Sequence, residues 1–369
     1  MKSLLPYIWM IGTLVVFGAA IVYVSRRFAF FFGVEKVAPF YIGFVSLFVF
    51  VIVGGAAFIN STSTVGHLLY MAAAFMLGFL LYLVLSVGVV DLVRLATDGQ
   101  PKFYGIAALA LTMLVSIYGV INSYQLTTTT LDIPVKGLTA EMKAVHLSDV
   151  HIGHFRNNGL AEELVAETNK HKPDVVFITG DYLDGKIALT DEAFAPLKRI
   201  EAPVFFVGGN HDEATDLDAI KQKLESAGVT VLENEVFHLG NLQIIGLDYM
   251  LADGEAFDMH ASNGKPTVKK VLEQLDIDES KPSVLLHHGP SGIRYAGDKG
   301  VDLYLAGHTH AGQVFPINLI SDLLFEYNRG LHDYNGMKVF VSEGIGTFGP
   351  PMRVGTKSEI AVLTLKPDV

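Results

Sequence analysis

The chain has 369 residues, half of them hydrophobic, a formal net charge of −11 and no cysteine. Its mean hydropathy of +0.39 is too high for an ordinary water-soluble enzyme, and the lack of cysteine excludes disulfides and thiolate zinc sites while leaving the redox compartment unreadable. Residues 1–124 hold only six Lys or Arg and three Asp or Glu, so the remainder carries 21 basic and 35 acidic residues with 12 of the 13 histidines, a balance that suits cations and speaks against a nucleic-acid partner.

Four apolar runs come first, at roughly 4–24, 37–59, 65–90 and 103–124. Each approaches or exceeds the ~20 residues that cross a bilayer as a helix, and none shows the regular charged face of a buried soluble helix. The first run is long, lacks an Ala-x-Ala-like site and is followed by three more, so it is expected to remain as a span rather than be cleaved. The loop 25–36 carries Arg26, Arg27 and Lys36, the loop 91–102 carries Arg94 and Lys102, and 60–63 is uncharged. The positive-inside bias therefore places both chain ends outside a multi-pass cell membrane, although Lys2, Lys136 and Lys143 pull the other way. Residues 125–140 read as a polar linker, and 141–369 as a globular domain.

That domain alternates strand-length apolar runs with amphipathic helical stretches. The strands are expected at 143–148, 175–179, 204–207, 242–247, 283–286, 303–306, 338–342 and 360–365, with helices at 160–170 and 216–227, the second stopped by Gly228. The sum is an α/β domain large enough for its own core.

Several strand ends carry metal-binding chemistry. In Asp149-Val-His151 a carboxylate and an imidazole two apart on an extended segment would face one way and converge on one cation, though a lone Asp-x-His is common by chance. Gly180-Asp181 offers a sharp exit from a strand and a carboxylate with two oxygens for two cations. Gly208-Gly209-Asn210-His211-Asp212 combines a neutral carbonyl donor with an adjacent imidazole, or is an ordinary Gly-Asn turn. Of His287 and His288, strand alternation sends one to the site and the other into or across the sheet. His308-Thr-His310 follows a strand with spacing that reaches two neighbouring metals.

The order Asp-x-His, Gly-Asp, Gly-Asn-His-Asp, His-x-Pro, Gly-His-x-His resembles the calcineurin-like metallophosphoesterases over residues 141–366. Ser148-Asp-Val-His-Ile-Gly, Gly307-His-Thr-His-Ala-Gly-Gln313, and Gly344-Ile-Gly with Pro351-Met-Arg353 are similar to the bacterial membrane-associated or exported branch. The resemblance implies a four-layer α/β/β/α sandwich with two sheets behind the four-span helical domain. It implies that Asp149, His151 and His310 hold one divalent metal, that Asn210, His288 and His308 hold a second, and that Asp181 bridges them. His288 is chosen over His287 because His288-Gly-Pro290 meets the family's His-x-Pro. A metal-bridging hydroxide would attack phosphorus, with His211 contacting the phosphate and protonating the leaving oxygen. Asp212 is read either as orienting His211 or as a solvated turn carboxylate. The nitrogen and oxygen donors favour Mn, Fe or Zn over Mg or Ca.

Three further features bear on substrate. Glu343 stands where family members often carry a basic residue, and if it faced the pocket it would repel a monoester dianion and favour a diester. Arg353 is read as a phosphate clamp or as a surface ion pair, and His287 as a residue beside the substrate. The apolar segment 315–325 is either an added core helix or a membrane-facing wall of the site. The expected activity is hydrolysis of phosphomono- or phosphodiesters at the outer face of the membrane, with lipid-linked phosphates in view. The alternatives are a degenerate receptor or scaffold, against which the full ligand set speaks, and a membrane sensor or transporter, against which the scarcity of ionisable residues in the spans speaks.

Overall fold

The computed structural model describes residues 5–157, 159–256 and 264–368; Leu4 and Val369, the outer ends of the first expected span and of the globular domain, lie outside them. The chain divides into two compact units, a helical one of residues 1–59, 63–121 and 349–352, and an α/β one of residues 60–62, 122–348 and 353–369.

The helical unit contains Leu5–Phe31, Ala38–Phe58, Thr64–Leu95 and Pro101–Ser123. All four are long and apolar enough to cross a membrane. Exposed Ile42, Val49 and Val53 on the second helix and Leu68 and Leu92 on the third would be a liability in water and are ordinary facing lipid. The helices run past the apolar runs, so Arg26, Arg27, Asp91 and Arg94 are helical rather than in loops. Near the C-terminal ends of the first and third helices Arg27 Nε lies 2.6 Å from Asp91 Oδ2, which also accepts a hydrogen bond from Tyr23 at 2.7 Å. The one acid there is thus neutralised by pairing.

The α/β unit holds two six-stranded sheets face to face. The first runs in the order Leu126–Val135, Ser358–Pro367, Met142–Leu147, Val175–Thr179, Val204–Val207, Thr230–Val231. The second runs Gly330–Tyr334, Met337–Val341, Leu303–Ala306, Ser283–Leu286, Leu242–Gly246, Glu235–Leu239. The central strands of each are parallel neighbours and buried at every position, which is why they read as continuous apolar runs. Phe177, Phe205 and Leu363 of the first sheet meet Ile244, Leu286, Leu305 and Phe340 of the second between the layers. Helices cover both outer faces: Gly159–Lys170 and Leu217–Ser226 lay Leu160, Leu164, Ile220 and Leu224 on one, and Val268–Gln274 and Ile293–Asp298 lay Val271, Leu272 and Ala296 on the other. This is the four-layer sandwich.

The stretch 125–140 is not a linker. Leu126–Val135 is a ten-residue strand paired in parallel along its whole length with Ser358–Pro367, and Ile133 and Val135 are fully buried. Its Thr127–Thr130 run is polar because it forms an edge, where one side of the ladder meets solvent.

Candidate metal centre

The parallel strands Met142–Leu147, Val175–Thr179, Val204–Val207, Ser283–Leu286 and Leu303–Ala306 each release the chain, within a few residues, at an expected ligand. Asp149, His151, Asp181, His308 and His310 all leave with φ between 47° and 71°. Left-handed backbone is costly for residues with a Cβ, so it persists only where surrounding contacts over-determine it. Asp149 and His151 therefore do not converge by strand alternation, as the spacing suggested; two left-handed turns aim them together.

Those turns are held by the expected ligand residues themselves. Asp149 accepts from His308 N at 3.0 Å on each oxygen and from Ser148 Oγ, and Asp181 Oδ1 accepts from His211 N at 2.8 Å. The approach is close enough to require glycine at two neighbouring positions. A Cβ at Gly307 would fall on Ser148 Oγ and Asp149 Oδ2, and one at Gly209 on Asp181 Oδ1 and its backbone nitrogen.

The donor atoms gather in two groups. In the first, His310 Nε2 lies 3.0 Å from His151 Nε2 and 3.3 Å from Asp149 Oδ1. In the second, His288 Nε2 lies 3.1 Å from Asn210 Oδ1, 3.2 Å from His308 Nδ1 and 3.2 Å from Asp181 Oδ2. Asp181 Oδ2 is also 3.7 Å from His151 Nε2, so this single oxygen faces both groups. His288 Nδ1 donates to Thr179 O at 2.8 Å, which turns the Nε2 lone pair toward the site.

Electrostatics fit cations here. Burial opposes ionisation of Asp181, yet His288, His211 and His151 outweigh it and hold the carboxyl well below its usual range. Burial likewise works against a charged His288, but Asp181, by charge and by hydrogen bond, pushes it up to about 10. Buried imidazole nitrogens this close to one another and to carboxylate oxygens need positive charge between them, and an oxygen and nitrogen set without sulfur suits divalent metal ions.

His211 stands beside both groups, its ring centroid 4.7 Å from that of His151. Its Nδ1 is 2.9 Å from Asp184 Oδ1. Burial opposes its charged form, but Asp181 and the hydrogen bond to Asp184 raise it to about 9. Asp212 does not orient it and is not solvated. Its fully buried carboxylate accepts from Tyr182 N at 2.9 Å, Leu183 N at 3.2 Å and Gly209 N at 3.0 Å, pinning the Asp181 loop to the Asn210 loop.

The other three residues expected to contact substrate are engaged by the protein itself. His287 is fully buried, with Nδ1 2.9 Å from Tyr304 OH. The Glu343 carboxylate accepts from Lys357 N at 3.1 Å and is not part of either donor group. Arg353 is neither a surface ion pair nor open to solvent: it is fully buried, and its Nη2 donates to the carbonyls of Glu343, Gly344 and Gly346 and lies 3.2 Å from His310 Nδ1. It braces the loop behind His310. Residues that the motifs did not point to are Asp184, Tyr249, whose ring is 5.4 Å from those of both His288 and His308, and Phe348, half-exposed with its ring 4.9 Å from His310. For Asp184 a signal existed in the Asp181-Tyr-Leu-Asp184 spacing; the aromatics had none.

The segment 315–325 contains the helix Ile317–Leu324, and it is not a core helix. Its buried residues are Asn318 and Ser321, and its apolar side chains face outward.

Comparison with known proteins places this geometry. A calcineurin-like phosphoesterase family model matches residues 142–312. An uncharacterized metallophosphoesterase of Helicobacter pylori is 35% identical over 235 residues, covering 62% of this chain and 61% of that protein. One from Aquifex aeolicus is 32% identical over 231 residues, covering 61% and 85%. A transmembrane protein with metallophosphoesterase domain from Bos taurus is 32% identical over 279 residues, covering 70% and 62%. The chain thus spans less than two thirds of the Helicobacter and Bos proteins. With the donor groups, the two-sheet sandwich and these relatives together, the chain belongs to the calcineurin-like metallophosphoesterases.

Proposed function

We propose that this protein is a membrane-anchored phosphoesterase with a centre of two divalent metals, acting on phosphomono- or phosphodiesters, including lipid-linked phosphates, outside the cytoplasm. The observation that carries the reading is Asp181 Oδ2 facing two donor groups at once, 3.2 Å from His288 Nε2 and 3.7 Å from His151 Nε2. Asp149, His151 and His310 would hold one ion, Asn210, His288 and His308 the other, and Asp181 both. Bound there, the ions would supply positive charge against the phosphoryl oxygens and make a nearby water more acidic. His211, held at Nδ1 by Asp184, keeps Nε2 to hand a proton to the departing oxygen. Phe348 and Tyr249 flank the imidazoles and keep water from one side of each group.

The side of the membrane is supported by the basic residues near the C-terminal ends of the first and third helices, and membrane attachment by the likeness to the Bos taurus transmembrane protein. The test is hydrolysis by the full chain, loaded with Mn, Fe or Zn, of chromogenic mono- and diesters and of a phospholipid panel, with Asp181→Asn alongside. The substitution should abolish turnover and lower metal content. Turnover by Asp181→Asn with full metal occupancy would refute the bridging assignment.

A further inference from the structure

The helix Ile317–Leu324 is built inside out. Between residues 125 and 368, nine large apolar side chains are exposed among the described residues, and six of them lie within 315–324: Phe315, Ile317, Leu319, Ile320, Leu323 and Leu324, exposed by 40% to 87%. Its polar side is the anchored one. Ser321 Oγ donates to Asn328 Oδ1 at 2.7 Å, Asn328 Nδ2 donates to Asp322 Oδ1 at 2.6 Å, and Asn328 O accepts from Thr309 Oγ1 at 2.6 Å. Thr309 sits between His308 and His310, and the Phe325 ring is 6.3 Å from that of His308. The loop residues Thr309 and Asn328 thus hold the helix by hydrogen bonds at the rim of the metal centre and leave its apolar residues exposed.

Soluble surfaces rarely concentrate apolar side chains in this way without something to cover them. We infer that this helix lies in the lipid–water interface of the bilayer that the four long helices enter, bringing the mouth of the metal centre to the membrane surface. Its occupant is the bilayer itself. The outward residues carry no charge, the one acid on the helix, Asp322, is engaged by Asn328 and lies 3.6 Å from Arg329, and the same chain keeps a bilayer permanently at hand. An interfacial helix of this kind buries its apolar side roughly 5–10 Å into the headgroup and acyl boundary. The inference rests on the membrane-anchored reading proposed above, and gives the site a way to take phosphoesters borne on lipid.

The absence of cysteine makes a direct test simple. Full-length Leu323→Cys, Glu225→Cys and Ile52→Cys proteins are labelled with an NBD fluorophore, reconstituted into phosphatidylcholine vesicles with or without a shallow doxyl lipid, and checked for hydrolysis of bis-p-nitrophenyl phosphate to show that they are folded. Glu225 is exposed on the helix over the first sheet, and Ile52 lies in the second long helix. The expected result is a blue shift and loss of fluorescence with doxyl lipid at positions 323 and 52, and none at 225. Quenching at 52 with none at 323 overturns the inference while leaving the membrane anchor standing; no quenching at 52 overturns both. Equal quenching at 225 and 323 would also overturn it. So would disulfide-linked dimers of the unlabelled Leu323→Cys protein without quenching of its labelled form, by putting a second copy on this face.

Discussion

Replacing Asp184 by Asn tests the partnership that sets His211, the proposed proton donor. Asp184 is nearly fully buried and its Oδ1 is 2.9 Å from His211 Nδ1. A hydrogen bond between a charged pair contributes about 1.5–3 kcal/mol, roughly twice a neutral one. An asparagine oxygen still accepts from Nδ1 without the charge, so the expected loss is about 1–1.5 kcal/mol, close to tenfold in kcat. Asp184→Ala loses the whole bond and should cost up to about a hundredfold, within the 10²–10⁴ that general acid catalysis contributes. Steady-state turnover of a chromogenic diester, measured with metal content by mass spectrometry, gives both readouts. The pH profile adds a sign. His211 is raised to about 9 in part by Asp184, so removing that charge lowers its pKa, and the alkaline limb, where the acid loses its proton, should move to lower pH. Asp184, His151 and His211 also lie close enough to hold an ion of their own. Loss of a metal equivalent in Asp184→Asn, or multiplicative rate losses in the Asp184→Ala, His211→Ala double variant, would refute the positioning role.

Asp212→Ala strands three buried backbone N–H groups and should lower stability by about 3–5 kcal/mol, read as a fall in Tm together with reduced metal content; an unchanged Tm with lost turnover would return Asp212 to catalysis. Gly307→Ala drives a Cβ into Ser148 Oγ and Asp149 Oδ2, and is expected to lose the ion of the Asp149 group before that of the His288 group, which metal titration resolves. A protease added to intact spheroplasts should remove a C-terminal tag, and full protection would reverse the orientation.

The central strands were legible because both their faces are buried, so Val175–Thr179, Ser283–Leu286 and Leu303–Ala306 are dominated by apolar residues. Edge strands were not. Leu126–Val135 and Glu235–Leu239 mix polar and exposed residues and draw their definition from a neighbour, which for the first is Ser358–Pro367, distant in sequence. The motifs pointed to the residues expected as ligands, and the structure places them at strand exits. The left-handed turns that aim them were not legible, because nothing in Asp149 or His310 as residue types announces a positive φ. Asp212 was misread for a related reason: a carboxylate next to a histidine in sequence points elsewhere once a short helix starts at Asn210, and the partner of His211 comes from the Leu183–Asp184 strand instead.

Those left-handed exits set a conflict between durability and chemistry. Each non-glycine residue held there costs about 1–3 kcal/mol, so five of them draw on the order of 5–15 kcal/mol from the folding free energy of the α/β unit. A sequence optimised for heat resistance alone would place glycine at these five positions and lose its donor atoms. The sites to strengthen therefore lie in the supporting contacts, such as the Asp212 carboxylate and the Arg353 brace.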